Sequence, residues 1–320
     1  MTAAAEVTIR RIDEEDAAAA AAYVAIRNEA TPDSLDSLEQ LAWARATYPG
    51  DGLLLLAEDA AGTAVGTASA GRIYMHGPTF ERWWLGLWVR AAARRRGIGD
   101  ALYRAASEAA RAAGKTGFQT ELSEAHEDGM RFLATRGFVE IDRMKVLRLG
   151  LAGRVPPVVD PPAGIALTTL ADRPDLLPGV HQAAVETFPD VPTGDEPLYA
   201  GTLDEFVARE VDRVGMPRDG FVIAVDEASG EVAGYANLLL QPGETVAFHE
   251  MTAVRSAWRG RGLATALKHA TIAWAIDRGL EALETGNDET NAPMRAVNAR
   301  LGYAPLPDVI GLQGPLAPEP

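Results

Sequence analysis

No cysteine occurs among the 320 residues, which excludes a disulfide framework, a thiolate nucleophile and a cysteine-ligated zinc. The five histidines are scattered without paired spacing, so no metal site is expected. No apolar run approaches the roughly 20 residues of a membrane span. The opening stretch MTAAAEVTIRRIDEED places acids and arginines where a secretory leader needs a basic end and an apolar run. These absences predict a cytoplasmic protein with no membrane partner.

Basic residues are also in short supply, 30 against 45 acids, for a net charge of −15. The shortfall is uneven: residues 1–150 hold 21 acids and 18 bases, net −3, whereas residues 151–320 hold 24 and 12, net −12. An acidic field repels nucleic-acid phosphates and favours cationic small molecules, and it also keeps a surface solvated. No nucleic-acid partner is expected, and monomer and homodimer both remain open. With 47% hydrophobic and 23% charged residues, the chain has ample material for a core. Its length suits two domains of about 150 residues.

A strand at 7–10, a capped alanine-rich helix to about Arg27 and a second helix at 35–47 open the chain. Three strands follow, then a glycine-bearing turn, a helix from about Gly97, a strand, a helix and strands around Phe138 and Lys145. Residues 150–163, with four prolines and no periodicity, read as a linker between domains 1–149 and 164–320. Beyond it the order returns, with helices expected at 176–187 and 203–214. Val89 and Val254, Arg94 and Arg259, Gly97 and Gly262, Gly114 and Gly279, and Gly137 and Gly302 are all 165 positions apart. A single offset over about fifty residues marks a duplication.

The repeat centres on VRAAARRRGIGDAL and VRSAWRGRGLATAL, where an apolar strand runs through a short basic turn into a helix. Glycine lets the backbone approach a ligand, and the free N–H groups of a first helical turn make an anion site. One such match is weak, but two at equivalent positions are not. Neither copy has the Gly-Lys-Ser/Thr of a Walker loop or the leading Gly-x-Gly of a dinucleotide fingerprint. A pyrophosphate-bearing thioester carrier, coenzyme A, is the best remaining candidate.

The loops Arg94-x-x-Gly97-x-Gly99 and Arg259-x-x-Gly262-x-Ala264, each followed by a strand, a helix and a glycine-aromatic pair, resemble the GNAT superfamily of N-acetyltransferases in its tandem form. The resemblance covers nearly the whole chain twice. It implies an α/β fold, with two tandem acyl-CoA N-acyltransferase domains whose α+β mixed sheets splay to admit acetyl-CoA. It further implies cofactor contacts from Val89, Arg94, Arg95, Arg96, Gly97, Ile98 and Gly99, and from Val254, Arg259, Gly260, Arg261, Gly262, Leu263, Ala264 and Asn291.

Transfer to an amine needs a base, an oxyanion donor and an acid for the leaving thiolate. Strict alternation along the strand before the second loop puts Glu250, Thr252 and Val254 on one face, with His249 and Met251 on the other. The first half has Leu85, Leu87 and Val89 there, with Trp84 and Gly86. Chemistry is therefore expected in the second half, with Glu250 as the leading general base and His249 the alternative. The tyrosine that many family members offer to the thiolate is Asn298 here and Leu133 in the first half. Asn298 can donate a hydrogen bond but not a proton, so the acid stays open, with Tyr199 and Tyr235 also in view. Asp190, Asp195 and Glu196 would suit a small cationic amine acceptor. The rival readings are a non-catalytic acyl-CoA-binding module and a protein N-acetyltransferase.

Overall fold

The computed structural model describes residues 7–32, 34–47, 52–77, 79–191, 197–243 and 245–319. By its contacts the chain divides into two compact units, Met1–Ile141 with Ile310–Pro320, and Asp142–Val309. This membership differs from a cut at residues 150–163, because each unit holds a strand from the other half of the sequence.

Unit 1 begins with β1 (Val7–Arg11), α1 (Ala17–Ala30), α2 (Leu38–Thr47), β2 (Gly52–Asp59), β3 (Ala64–Arg72) and β4 (Arg82–Val89). It continues through α3 (Ile98–Ala112), β5 (Gly117–Ser123), α4 (Glu127–Ala134) and the start of β6 (Val139–Gly150). Asp16 starts α1 by accepting a hydrogen bond from the Ala19 N–H at 2.9 Å, as an N-cap must. The strand order is β1-β2-β3-β4-β5-β13, where β13 is Val309–Pro315 from the far end of the chain. Ile310 and Leu312 of β13 join the core formed by Leu85, Ile98, Leu102, Phe118 and Phe138. Around the sheet edge, Tyr103 Oη donates to the Pro315 carbonyl at 2.6 Å, and the Ser107 hydroxyl accepts from the Ala317 N–H.

Unit 2 takes the rest of β6, then β7 (Ile165–Thr169), α5 (Leu177–Thr187), α6 (Leu203–Phe206), β8 (Val222–Asp226), β9 (Val232–Leu240) and β10 (Val246–Val254). It ends with α7 (Leu263–Asp277), β11 (Ala282–Asp288), α8 (Ala292–Leu301) and the short β12 (Ala304–Pro305). The strand order is β6-β11-β10-β9-β8-β7. Residues 151–164 contain neither helix nor strand and belong to unit 2, where the Leu151 N–H donates to the Glu281 carbonyl at 2.7 Å.

Most elements lie where the sequence places them, with three differences. The strands expected around Phe138 and Lys145 are one continuous strand, β6. The helix expected over 203–214 is only one α-turn, started by a reciprocal capping box between Thr202 and Glu205, followed by a π-turn at Val207–Val211. Nothing in the sequence reading anticipated β13, since glycines and prolines interrupt its short apolar stretch.

Candidate active site

In unit 2, β10 and β11 pair in parallel from Val246–Ala282 to His249–Thr285, and beyond that point the two strands part. On its other side β10 keeps pairing with β9, but the register shifts between His249 and Met251. Glu250 is thus the extra residue of a β-bulge, which bends the strand and re-aims its side chains. Strict alternation fails here. His249 and Thr252, expected on opposite faces, meet instead, with Nε2 and Oγ1 3.2 Å apart. Glu250, expected beside Thr252, turns to Arg213, whose guanidinium donates to its carboxylate at 2.5 Å.

Past the divergence lies a cleft of about 620 Å³, walled by Met251 to Val254 of β10, by the loop and first turn of α7, and by Asn291, Met294 and Val297 of α8. Gly260 and Gly262 both have left-handed backbone, with φ of 75° and 87°, and a Cβ on either would point into open space. The N–H groups from Gly260 to Ala264 donate to nothing among the described residues. This cradle fits a pyrophosphate, held by main-chain donors at a helix start. Leu263 is buried beneath it, Ala264 lines the cleft and Arg261 is exposed.

Arg259 has a structural task as well as a place on the cleft wall. Its Nε donates to the Val254 carbonyl at 2.9 Å, closing the turn, and its Nη2 donates to Asp190 at 2.6 Å. Asp190 is therefore matched to the loop arginine. Asp195 and Glu196 lie outside the described residues. Asn291 caps α8 by accepting from the Met294 N–H at 3.3 Å.

Asn298 is fully buried and donates to the Asn287 side chain at 2.5 Å, while its Oδ1 has no partner among the described residues. His249 is also buried, and desolvation first, then the charge of Lys268, holds its imidazole well below the usual value. Of the tyrosines, Tyr235 is buried and stacked on Phe221, and burial raises its phenol well above its ordinary range, whereas Tyr199 is exposed.

Three groups escaped the sequence reading. Arg213 and Glu210 carry no motif, and only folding brings them to the bulge. Burial, and then the charge of Glu250, push the Glu210 carboxyl upward. Lys268 did leave a signal, since it stands three, four and seven residues before Thr271, Ile272 and Ala275 on the buried stripe of α7.

Unit 1 repeats the loop with the same backbone. Gly97 has φ 84°, Arg94 Nε donates to the Val89 carbonyl at 3.1 Å, and the N–H groups from Arg95 to Gly99 are likewise unused. Ile98 is buried, while Arg95 and Arg96 are exposed. Arg95 takes the left-handed conformation, φ 63°, that Gly260 takes in unit 2. β4 has no bulge, since its register with β3 is unbroken, and Leu85 is buried. A Cβ at Gly99 would lie 3.1 Å from the Phe132 ring, which Arg136 covers.

A mixed sheet that parts beside a bulge, over an amide-lined turn into a helix, is the architecture of an N-acetyltransferase fold. The chain belongs to the acetyltransferase (GNAT) family, whose pattern matches residues 18–138 and 179–303, one copy in each half. Its overall structure is similar to a tandem GNAT protein from the clavulanic acid biosynthesis pathway, with 22% identity and a TM-score of 0.80 over 98% of this chain and 100% of that one. It is also similar to a GCN5-related N-acetyltransferase from Sphaerobacter thermophilus, with 18% identity and a TM-score of 0.71 over 98% and 97% of the two chains. No match is found among curated proteins. The protein is an acetyltransferase of this family, which generally uses acetyl-CoA. Among the described residues no helix is long and apolar enough to cross a membrane.

Proposed function

We propose that the protein transfers the acetyl group of acetyl-CoA to the amine of a small cationic molecule in the cytoplasm, and that unit 2 carries the chemistry. The observation that carries this reading is the bulge at Glu250, which sets a half-buried carboxylate at the point where β10 leaves β11, one residue before the cleft wall that starts at Met251. Bound acetyl-CoA would supply an electrophilic thioester carbonyl.

Gly260, Gly262 and the N–H groups to Ala264 would hold its pyrophosphate, with Arg259 keeping the turn closed. Glu250 would take the proton of the incoming ammonium, directly or through water, while Arg213 holds the carboxylate in place. The neighbouring Glu210 adds a second carboxyl, and such a pair favours a cationic acceptor. His249 is the weaker base, since burial keeps it neutral and out of reach of an acceptor.

Glu250→Gln is expected to lower kcat by about 10²- to 10⁴-fold, the usual contribution of general base catalysis, and to leave CoA affinity unchanged by calorimetry. Thiol release from acetyl-CoA across a panel of aminosugars and polyamines measures it. Full activity in both Glu250→Gln and His249→Ala would remove the assignment.

A further inference from the structure

On the α7 side of β10 lies a group of polar side chains that transfer by Glu250 does not use. His249, Lys268, Asn298 and Tyr303 are 2%, 1%, 0% and 7% exposed. His249 Nδ1, Asn298 Oδ1 and Tyr303 Oη have no hydrogen-bond partner among the described residues. The Lys268 ammonium has no carboxylate beside it among the described residues and sits 5.4 Å over the Tyr303 ring. Buried polar atoms left unpaired are costly, and apolar side chains of similar shape would relieve that cost. Retaining several together at the root of a cofactor cleft calls for a chemical reason.

Thr252 connects this group to the cleft. It lines the cleft wall, and its hydroxyl is 3.2 Å from His249 Nε2. The reaction also lacks an assigned acid at this place. Asn298, the residue at the expected position, cannot release a proton and already donates to Asn287. We propose that the Thr252 hydroxyl is the proton donor to the departing coenzyme A thiolate, and that His249 and Lys268 act behind it as positioning residues that restore its proton. This rests on the reading of unit 2 as the acetyl-transfer site.

The amine nitrogen forms its bond to the acetyl carbon and gives up its protons on the Glu250 side. The C–S bond then breaks with its electron pair going to sulfur, which takes the Thr252 Oγ proton. His249 passes its Nε2 proton to Thr252 and receives one at Nδ1 from the Lys268 ammonium, directly or through water. Lys268 recovers a proton from solvent after release, so each turnover of an ammonium substrate liberates one proton. Burial brings Lys268 from 10.5 down to about 7, which makes its ammonium a readier proton source than an ordinary lysine.

The charged and titratable groups about this path include Lys268 on α7, Tyr303 after α8 with Arg154 beside it, Arg300 on α8, and Asp190 with Arg259 across the cleft. Glu250 is paired with Arg213.

The test reads the thiol of bound coenzyme A and needs no acceptor. Ultraviolet thiolate absorbance of the CoA complex is titrated in wild type, Thr252→Val and Thr252→Ser, with CoA affinity measured alongside. A donor to the thiolate lowers the bound thiol's pKa. Thr252→Val is therefore expected to raise it by roughly one unit, while Thr252→Ser keeps the wild-type value and both retain CoA affinity. Lys268→Met should raise it as well. An unchanged pKa in Thr252→Val, or a shift of equal size in Thr252→Ser, overturns the proposal whatever Glu250→Gln does. Failure of CoA to bind at all overturns the transferase reading itself.

Discussion

Glu29 and Glu186 perform the same task in the two units. The Glu29 carboxylate accepts from Arg90 and from the Ala91 N–H, and that of Glu186 accepts from Arg255 at 2.7 Å and from the Ser256 N–H at 2.7 Å. Each ties the strand end to the turn that follows it. Arg255 first, then the Ser256 N–H and hydroxyl, bring the Glu186 carboxyl from 4.5 down to about 2. A carboxyl lowered in the folded state adds stability above its unfolded value and loses it as pH falls towards the folded one. Glu186→Gln should thus lower Tm at pH 7. The gap from wild type should close as the pH drops from about 4.5 towards 2. Thermal melts of both proteins across that window check this, and a gap independent of pH would remove the ion pair as its source.

The two glycine-bearing turns have nearly the same backbone but differ in the helices they feed. α3 carries Asp100 in its first turn, where α7 has Thr265. An acid at a helix start is favourable for the helix and unfavourable for a bound phosphate. Asp100 is engaged by Arg104 and Arg136, and Phe132 packs against Gly99. In unit 2 the corresponding α8 residue, Val297, lines the cleft. Native mass spectrometry is accordingly expected to find one CoA per chain, lost in Gly262→Ala. Two bound molecules would show that the first turn is competent despite Asp100. A methyl at Gly262 also meets a left-handed backbone, at a cost of about 1 kcal/mol.

For the molecule as a whole, the assignment of its ends matters most. Ile310–Pro320 belongs to unit 1, where Ile310 is fully buried and Leu312 and Ala317 nearly so. A chain ending at Val309 would lose these apolar contacts together with the hydrogen bonds from Tyr103 and Arg111 to the last strand and its tail. Burying each large aliphatic side chain is worth about 1.5–3 kcal/mol. Limited proteolysis of the shortened chain is expected to degrade residues 1–141 while a fragment spanning 142–309 persists. Uniform resistance of both units would contradict this.

The duplication, the order of most elements, the glycine-bearing turns into α3 and α7 and the polar character of β10 were legible in the chain itself. Periodicity, glycine placement and helix capping are local properties, and local properties survive in a linear text. The fixed spacing of 165 turned a weak turn motif into a strong one. Folding decided what depends on distant partners. The bulge at Glu250 reversed the alternation that would have grouped it with Thr252, and it gave His249 to Thr252 and Glu250 to Arg213. The reach of β13 into unit 1 could not be read, because a strand's neighbours are chosen by the whole sheet rather than by its own seven residues. The burial of Lys268 was half visible, since helical spacing marked its face but not the absence of a carboxylate to meet it.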